Sequence, residues 1–107
     1  MLKLSRVTAA VADVLEVLDN ASGEPIWGLR VINATGRPAG SVYPILARLE
    51  AAGWVESEWD DDRDRPGPRR RMYLLTEEGR PVASELVRSF RARRVAVRAA
   101  GVAWSVS

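Results

Sequence analysis

The chain of 107 residues contains no cysteine and no histidine. Without cysteine it has neither a disulfide framework nor thiolate ligands for a metal ion. Without histidine, catalytic triads, zinc sites and imidazole acid–base chemistry are absent or built from unusual parts. We therefore expect no metal and no other cofactor, and these absences argue against an enzyme.

Long apolar runs are missing as well. No stretch approaches the ~20 residues that a membrane-spanning helix requires. The first apolar segment contains Asp13 and Glu16, so it does not resemble a signal peptide. The length is that of one domain. We therefore expect a cytoplasmic protein with no membrane partner.

The charge is nearly balanced, with 16 basic and 14 acidic residues, but Lys3 is the only lysine. Arginine forms bidentate hydrogen bonds with phosphate and with guanine, which suits nucleic-acid binding. A GC-rich genome, whose codons favour Arg and Ala, explains most of this bias without invoking nucleic acid.

The most informative stretch lies between Pro38 and Val55. At about 100° per residue, its large aliphatic residues share one face of a helix and its small residues share the other. A solvated helix face normally carries Glu, Lys and Gln, whereas a small face bordered by Arg and Tyr suits a helix in a DNA groove. A helix packed on protein on both sides explains the stripe equally well. The aliphatic face is Val42, Ile45, Leu46 and Leu49; the small face is Gly40, Pro44, Ala47 and Ala51, bordered by Arg37, Arg48 and Tyr43.

Two shorter helices are predicted upstream of this stretch. The first has an apolar stripe from Val11 to Leu18 and is capped by Ser5 or Thr8. The second is predicted to begin at residues 24–26, to bury Trp27, Val31 and Ile32, and to end at Gly36. Two short helices, a turn that contains glycine and a third amphipathic helix make a helix-turn-helix.

A β hairpin is predicted downstream. Residues 54–59 alternate in polarity, and residues 69–75 form the return strand after an Asp-, Pro- and Gly-rich loop. Because side chains alternate along a strand, Arg70 should lie on the opposite face from Arg69 and Arg71. These arginines either contact DNA or pair with Glu56 and Glu58 across the hairpin.

The last predicted helix follows Thr76, a good N-cap residue, and ends at Gly101. Its first turn contains Glu77 and Glu78, and its second half is rich in arginine. Those arginines form a solvated face or pair with acidic residues of a second subunit. The apolar stripe of this helix comprises Ala83, Leu86, Val87, Phe90 and Val97.

Together these segments resemble the PadR-like transcriptional regulators, which are winged helix-turn-helix repressors. The resemblance covers roughly Val7 to Phe90 and rests on the order and spacing of several short motifs. The motifs are Ser41-Val42-Tyr43-Pro44, Leu46 with Arg48-Leu49-Glu50 and Gly53, Val55 to Trp59, Pro68 to Tyr73, and Leu75-Thr76-Glu77-Glu78-Gly79.

The resemblance implies a mostly α fold with a small β hairpin. Residues 1–75 would form a winged helix-turn-helix with a three-helix core and a two-stranded wing, and residues 76–107 a C-terminal dimerisation helix and tail. It implies a homodimer in which this helix packs on the partner's first helix. It also implies that the third helix begins near Pro38, whereas local sequence favours Ser41 as its N-cap. The residues expected at the dimer interface are Val11, Leu15, Leu86 and Phe90.

A regulator of this kind would be a homodimeric repressor that binds double-stranded promoter or operator DNA at the nucleoid. The four tryptophans add the hypothesis that a small apolar or aromatic effector relieves repression. The residues expected to contact DNA from the recognition helix and the wing are Arg37, Ser41, Tyr43, Pro44, Arg48, Arg69, Arg70 and Arg71.

The main alternative is a winged-helix protein-interaction module that does not bind DNA specifically. The nearly neutral net charge and the acidic wing loop both fit that function. An enzyme is a distant third interpretation, because Glu77 and Glu78 point in different directions on a helix and do not form an acid–base pair.

Overall fold

The computed structural model describes residues 7–60 and 64–106, with side chains described as far as Ala99. Three short helices pack around a small antiparallel sheet, and a long fourth helix lies against the first. In chain order the elements are α1 (Ala9–Asn20), β1 (Ile26–Trp27), α2 (Gly28–Thr35), α3 (Ala39–Ala51), β2 (Val55–Trp59), β3 (Arg71–Leu75) and α4 (Gly79–Val106).

The core forms where the aliphatic faces of α1, α2 and α3 meet. The predicted stripe of α3 is confirmed, because all four of its aliphatic residues are buried. Leu46 and Leu49 are fully buried, and burying a leucine side chain contributes roughly 1.5–3 kcal/mol. Trp54, Tyr73 and Leu75 close the core from the side of the sheet.

At the start of two helices a threonine hydroxyl caps a backbone amide, as the sequence predicts. The Thr8 hydroxyl accepts a hydrogen bond from the Val11 amide at 3.3 Å. The Thr76 hydroxyl accepts one from the Gly79 amide at 3.0 Å and donates one to the Gly53 carbonyl at 2.8 Å. Thr76 therefore joins the start of α4 to the turn after α3. Glu77 and Glu78 precede α4 and do not form its first turn.

Helix α3 begins at Ala39 with Pro38 in the N-cap position. The start implied by the family resemblance is therefore correct, and the local prediction of Ser41 as N-cap is wrong. Pro44 lies inside the helix, where it lacks the N–H that would bond the Gly40 carbonyl. The helix continues to Ala51 because the buried aliphatic stripe holds it against the core.

The sheet has three strands, in the order β1-β3-β2, and not the two strands predicted. The additional strand replaces the predicted start of the second helix, because Ile26 pairs with Tyr73 and Trp27 with Met72. Helix α2 consequently begins at Gly28. Trp27 is half-buried at the edge of the sheet and not in the core.

Helix α4 runs to Val106 and does not end at Gly101. An interior glycine costs a helix only about 1 kcal/mol relative to alanine, so it need not stop it. Ala83 and Val87 are buried, but Val97 is 72% exposed. Among the described residues, no helix combines the length and apolarity needed to cross a bilayer.

Polar contacts align α4 antiparallel to α1 of the same chain. Asp19 accepts a hydrogen bond from the Ser84 hydroxyl at 3.1 Å, and Glu16 pairs with Arg91 at 3.2 Å. Val11 and Leu15, expected at a subunit interface, are 2% and 0% exposed in the core of the single chain. Their side chains therefore offer almost no surface to a partner.

Candidate nucleic-acid interface

The face of α3 opposite the buried stripe is open to solvent. Tyr43 is 43% exposed, and a Cβ atom added at Gly40 would have no neighbour within 4 Å. Small side chains between Tyr43 and Arg48 leave room for another surface to approach the helix backbone. The exposed residues of this face are Gly40, Ser41, Tyr43, Pro44, Ala47, Arg48 and Ala51.

The turn that leads into α3 is fixed by local and distant contacts. The Thr35 hydroxyl accepts a hydrogen bond from the Arg37 amide at 3.2 Å, and Gly36 has a left-handed φ of 70°. The Arg37 guanidinium bonds Asp13 of α1 through Nε at 2.9 Å and Nη2 at 2.8 Å. Arg37, predicted to contact DNA, thus uses its guanidinium to hold the turn against α1.

Asp13 also pairs with Arg94 of α4 at 2.7 Å. One carboxylate therefore joins the turn before α3 to the long helix α4. It is only partly shielded from water, with 26% of its side chain exposed. The ion pairs consequently stabilise the fold modestly and are weakened by salt.

We expect Asp13→Ala to lower the free energy of unfolding by about 1 kcal/mol at low salt, because two partly exposed ion pairs are lost. Urea denaturation at low and high NaCl measures this loss, which should shrink as salt rises. Glu85→Ala is the control, because Glu85 pairs with Arg88 on the exposed face of α4. Equal losses of unfolding free energy in both variants would show that the Asp13 ion pairs stabilise the fold no more than the surface pair of Glu85 and Arg88 does.

The three wing arginines lie on opposite sheet faces, as side-chain alternation predicts. The guanidinium carbons of Arg69 and Arg71 lie 5.6 and 5.1 Å from the centre of the Trp59 ring. The Arg70 guanidinium carbon lies 4.1 Å from the centre of the Trp27 ring. Trp59 thus makes cation–π contacts with two guanidiniums and Trp27 with one.

Arg71 also connects the wing to the end of α3. Its Nε donates a hydrogen bond to the Ser57 hydroxyl at 3.1 Å, which donates to Glu50 at 2.6 Å. A second guanidinium nitrogen of Arg71 lies 3.9 Å from the same carboxylate. Arg71 therefore pairs with Glu50 of α3, whereas the sequence suggested Glu56 or Glu58 as partners.

An open cleft of about 420 Å³ lies between α3 and the wing. Gly28 lets two tyrosine rings of its lining pack close to the start of α2, because a Cβ atom there would lie 3.1 Å from Tyr73 Cε2 and 3.2 Å from Tyr43 Cε1. Burial raises the pKa of the Tyr73 phenol, an effect that the Arg71 charge opposes. The phenol is thus protonated near neutral pH. This α3–wing cleft is lined by Trp27, Tyr43, Trp59, Arg69, Arg71 and Tyr73.

Sequence reasoning did not identify the α3–wing cleft. It predicted that Trp27 is buried and connected neither Trp27 nor Trp59 to the arginines. Trp59 is 48% exposed and lies opposite Arg71 in the β2–β3 register, a neighbour that the predicted hairpin allows but that alternation alone does not fix. Trp27 could not be found in this way, because its place beside Arg70 depends on the pairing of β1 with β3.

A three-helix core, an exposed third helix and a β2–β3 wing define a winged helix-turn-helix regulator. The family model of the PadR-like transcriptional regulators matches residues 14–85. The chain therefore belongs to the PadR-like family of transcriptional regulators, and the resemblance seen in its sequence is confirmed. No curated protein matches the chain significantly.

Solved structures share this fold. A PadR-like transcription factor from Bacteroides fragilis is 25% identical with a TM-score of 0.62, covering 82% of this chain and 85% of that chain. A protein described as DNA-binding from Ralstonia eutropha JMP134 is 25% identical with a TM-score of 0.61, covering 76% and 98%. A MarR family regulator from Silicibacter pomeroyi DSS-3 is 22% identical with a TM-score of 0.65, covering 88% and 62%, and shows the fold alone.

Proposed function

We propose that the chain is a homodimeric repressor that binds operator DNA through α3 and the wing. The observation that carries this proposal is the exposed face of α3, which is small and bordered by Tyr43 and Arg48. Such a face lets the helix enter a major groove while hydroxyl and guanidinium groups bond its edges. Repression then requires only occupancy of a promoter.

The roles along α3 follow from position. Ser41 and Tyr43 lie near the N-terminus of the helix, where free amides and the helix dipole favour a phosphate. Their hydroxyls donate hydrogen bonds to that phosphate. Pro44 packs close to the groove wall, and Arg48, farther along the helix, reaches a base edge or the opposite strand.

The wing arginines divide into two roles in this proposal. Arg69 is exposed and Arg70 half-exposed, and because they lie on opposite faces of the sheet, each contacts the phosphate backbone from its own side of the wing. Arg71 bonds Ser57 and Glu50, and Arg37 bonds Asp13. These two arginines position the wing and the turn before α3, and any contact they make with DNA is secondary.

Residues 1–75 would be the DNA-binding unit and residues 76–107 the dimerisation segment. The support is the second half of α4, where Val95 and Val97 are 66% and 72% exposed. Phe90 and Val97 border an open groove of about 510 Å³ beside Ala9. A symmetric dimer built on this surface and on half-buried Leu86 would present two α3 helices to half-sites about 34 Å apart.

A small apolar or aromatic effector is the proposed signal that relieves repression. A structure of NadR in complex with 4-hydroxyphenylacetate shares the fold, with 22% identity and a TM-score of 0.66. The chain spans 62% of the length of that protein. The fold is therefore compatible with binding a small aromatic acid.

The proposal is tested by measuring binding to genomic fragments, including the DNA upstream of its own gene, across a salt series. We expect tight binding to a few fragments and a loss of at least about tenfold with Arg48→Ala. If Arg48 contacts a phosphate, the log–log salt slope should also become about 0.9 shallower. Arg88→Ala on the exposed face of α4 is the control and should change neither quantity.

Weak binding that is equal on all fragments and indifferent to Arg48→Ala would contradict the repressor proposal. It would favour the protein-interaction module, for which the same exposed face of α3 would contact a protein. Capture of DNA fragments by the wild type but not by Arg48→Ala would supply the operator sequence.

A further inference from the structure

We propose that the outer side of the wing sheet docks a basic amphipathic helix of another protein. This outer wing face is the side of the sheet turned away from α3, and the docking does not rest on DNA binding by the chain. Its five residues come from all three strands. They are Trp27, Glu56, Glu58, Met72 and Leu74.

The strand register places these side chains on one face of the sheet. Directly opposite residues of an antiparallel pair project to the same side. Ser57 alternates with them along β2 and reaches Glu50 of α3 at 2.6 Å, so α3 lies on the other side of the sheet. The opposite pairs on the outer wing face are Glu56–Leu74, Glu58–Met72 and Trp27–Met72.

The apolar part of the outer wing face is not covered by the core of the chain. Met72 and Leu74 flank Tyr73 in β3, and Tyr73 is buried in the core, so alternation turns both neighbours outward. Among the described residues, the partly buried apolar side chains that pack on the core include Ile26 of β1 but none from the outer wing face. The three apolar residues of this face therefore form a stripe that a partner can cover.

An acidic stripe borders the apolar one. Glu56 and Glu58 are both exposed, and the ion pairs between described residues involve neither of them. They lie in β2, at an edge of the sheet, about 7 Å apart along the strand and about 5 Å from the strand that carries the apolar stripe. Their charges repel phosphate, which argues against nucleic acid and anionic lipid as the occupant.

The spacing of the two stripes defines the chemistry of the partner. Residues four apart in an α-helix lie about 6 Å apart along its axis, close to the separation of the two glutamates. Lysine or arginine at such positions would pair with both carboxylates. Apolar side chains on the adjoining flank of the same helix would cover Met72 and Leu74. A basic amphipathic helix thus satisfies both stripes, whereas a purely basic or purely apolar segment satisfies only one.

A second copy of the chain is a poorer occupant. The second half of α4 is a basic helical surface, but some of its arginines already have partners in their own chain. Arg91 pairs with Glu16 at 3.2 Å, and Arg94 pairs with Asp13 at 2.7 Å. Docking these arginines on the glutamates of another copy would break those ion pairs. A different protein, whose basic residues are not already paired, has no such contacts to break.

Arg70 limits the docking surface toward the wing loop. It precedes Met72 by two residues on the same face of the sheet, and its guanidinium carbon lies 4.1 Å from the centre of the Trp27 ring. A cationic residue of the partner would be repelled there. The docked helix should therefore lie over Met72 and Leu74 beside the two glutamates, which leaves the proposed phosphate contact of Arg70 free.

The test uses a fluorescein-labelled synthetic amphipathic helix of leucine and lysine, and as its match the same helix with glutamate in place of lysine. Each is titrated with the full chain and followed by fluorescence anisotropy. We expect the lysine helix to bind at least about tenfold more tightly than the glutamate helix, and more weakly as salt rises. The double variant Glu56→Gln, Glu58→Gln should weaken its binding about fivefold or more, because two charge pairs are lost. Leu74→Thr should weaken it about threefold or more, because apolar contact is lost.

Two control variants make the same kinds of change elsewhere on the surface. One is the pair Glu78→Gln, Glu85→Gln, at two exposed positions, and the other is Val97→Thr, at a position that is 72% exposed. Neither should change binding of the lysine helix by more than about twofold. Thermal unfolding verifies that all variants fold.

Three results would overturn the docking surface: no binding of the lysine helix, equal binding of the glutamate helix, or equal losses in the sheet and control variants. Sedimentation of the chain alone tests a second copy as the occupant. An assembly larger than a dimer that is lost in Glu56→Gln, Glu58→Gln would assign the face to another copy and overturn the foreign partner. Binding of the lysine helix that depends on these glutamates, by a chain that binds no DNA, would support the docking surface while the repressor proposal fails.

Discussion

Replacing Ala47 with glutamate should abolish specific DNA binding while leaving the fold intact. Ala47 is exposed at the centre of the small face of α3. Glutamate is a good helix former, so the free energy of unfolding should change by no more than about 0.5 kcal/mol. A carboxylate brought against phosphates costs several kcal/mol, and we expect operator affinity to fall by about 100-fold or more.

The matched control is Asn20→Glu, which adds the same charge at an exposed position at the end of α1. Fluorescence anisotropy with the operator fragment, run beside urea denaturation, separates affinity from stability. The control should lose no more than about threefold, because its charge lies outside the proposed interface and is screened by salt. Similar losses in both variants would mean that net charge governs binding and that α3 does not face DNA.

Helix α3 could be predicted in detail because the controlling signals are local. The spacing of Val42, Leu46 and Leu49 defines a buried stripe whichever partner covers it, and the structure buries all three. The small opposite face follows from the same periodicity. The start of α3 is the exception, since Pro44 inside the helix is tolerated only through the packing of that stripe.

Strand β1 could not be predicted from its own residues. Ile26 and Trp27 form a strand of two residues, which has no detectable alternation. They become a strand because β3 offers an unpaired edge at Tyr73 and Met72. Pairing between distant segments depends on the assembled fold and leaves no local sequence signal.

The two arginines beside α3 show a second limit on what can be predicted from the sequence. Arg37 and Arg48 both border the small face of α3, and nothing local distinguishes them. The structure places Arg37 against Asp13 of α1 and places Arg48 on the exposed face of α3. Val11 and Leu15, which were predicted to lie at a dimer interface and are buried in the single chain, show the same limit. An apolar stripe predicts burial but does not tell whether the covering surface belongs to the same chain.

Gly79→Ala should destabilise the protein more than any surface substitution. Gly79 begins α4 where the helix passes the turn after α3. A Cβ atom at this position would overlap the Trp54 carbonyl oxygen and lie 2.8 Å from the carbonyl carbon. That carbonyl is held in place because it accepts a hydrogen bond from the Thr76 amide at 3.0 Å. Backbone must therefore move, and we expect a loss of about 3 kcal/mol, the upper part of the usual range for overpacking.

Gly40→Ala is the matched control, because a Cβ atom there would meet nothing within 4 Å. Alanine in an exposed helical position should stabilise the protein by about 0.5–1 kcal/mol, since the unfolded chain loses conformational freedom. Urea denaturation of both variants should thus give shifts of opposite sign. If Gly79→Ala lowers the free energy of unfolding by less than about 1 kcal/mol, the backbone between Trp54 and α4 moves readily enough to accept the added methyl group. The position of the long helix would then depend on its contacts with α1, which include Ser84–Asp19, Arg91–Glu16 and Arg94–Asp13.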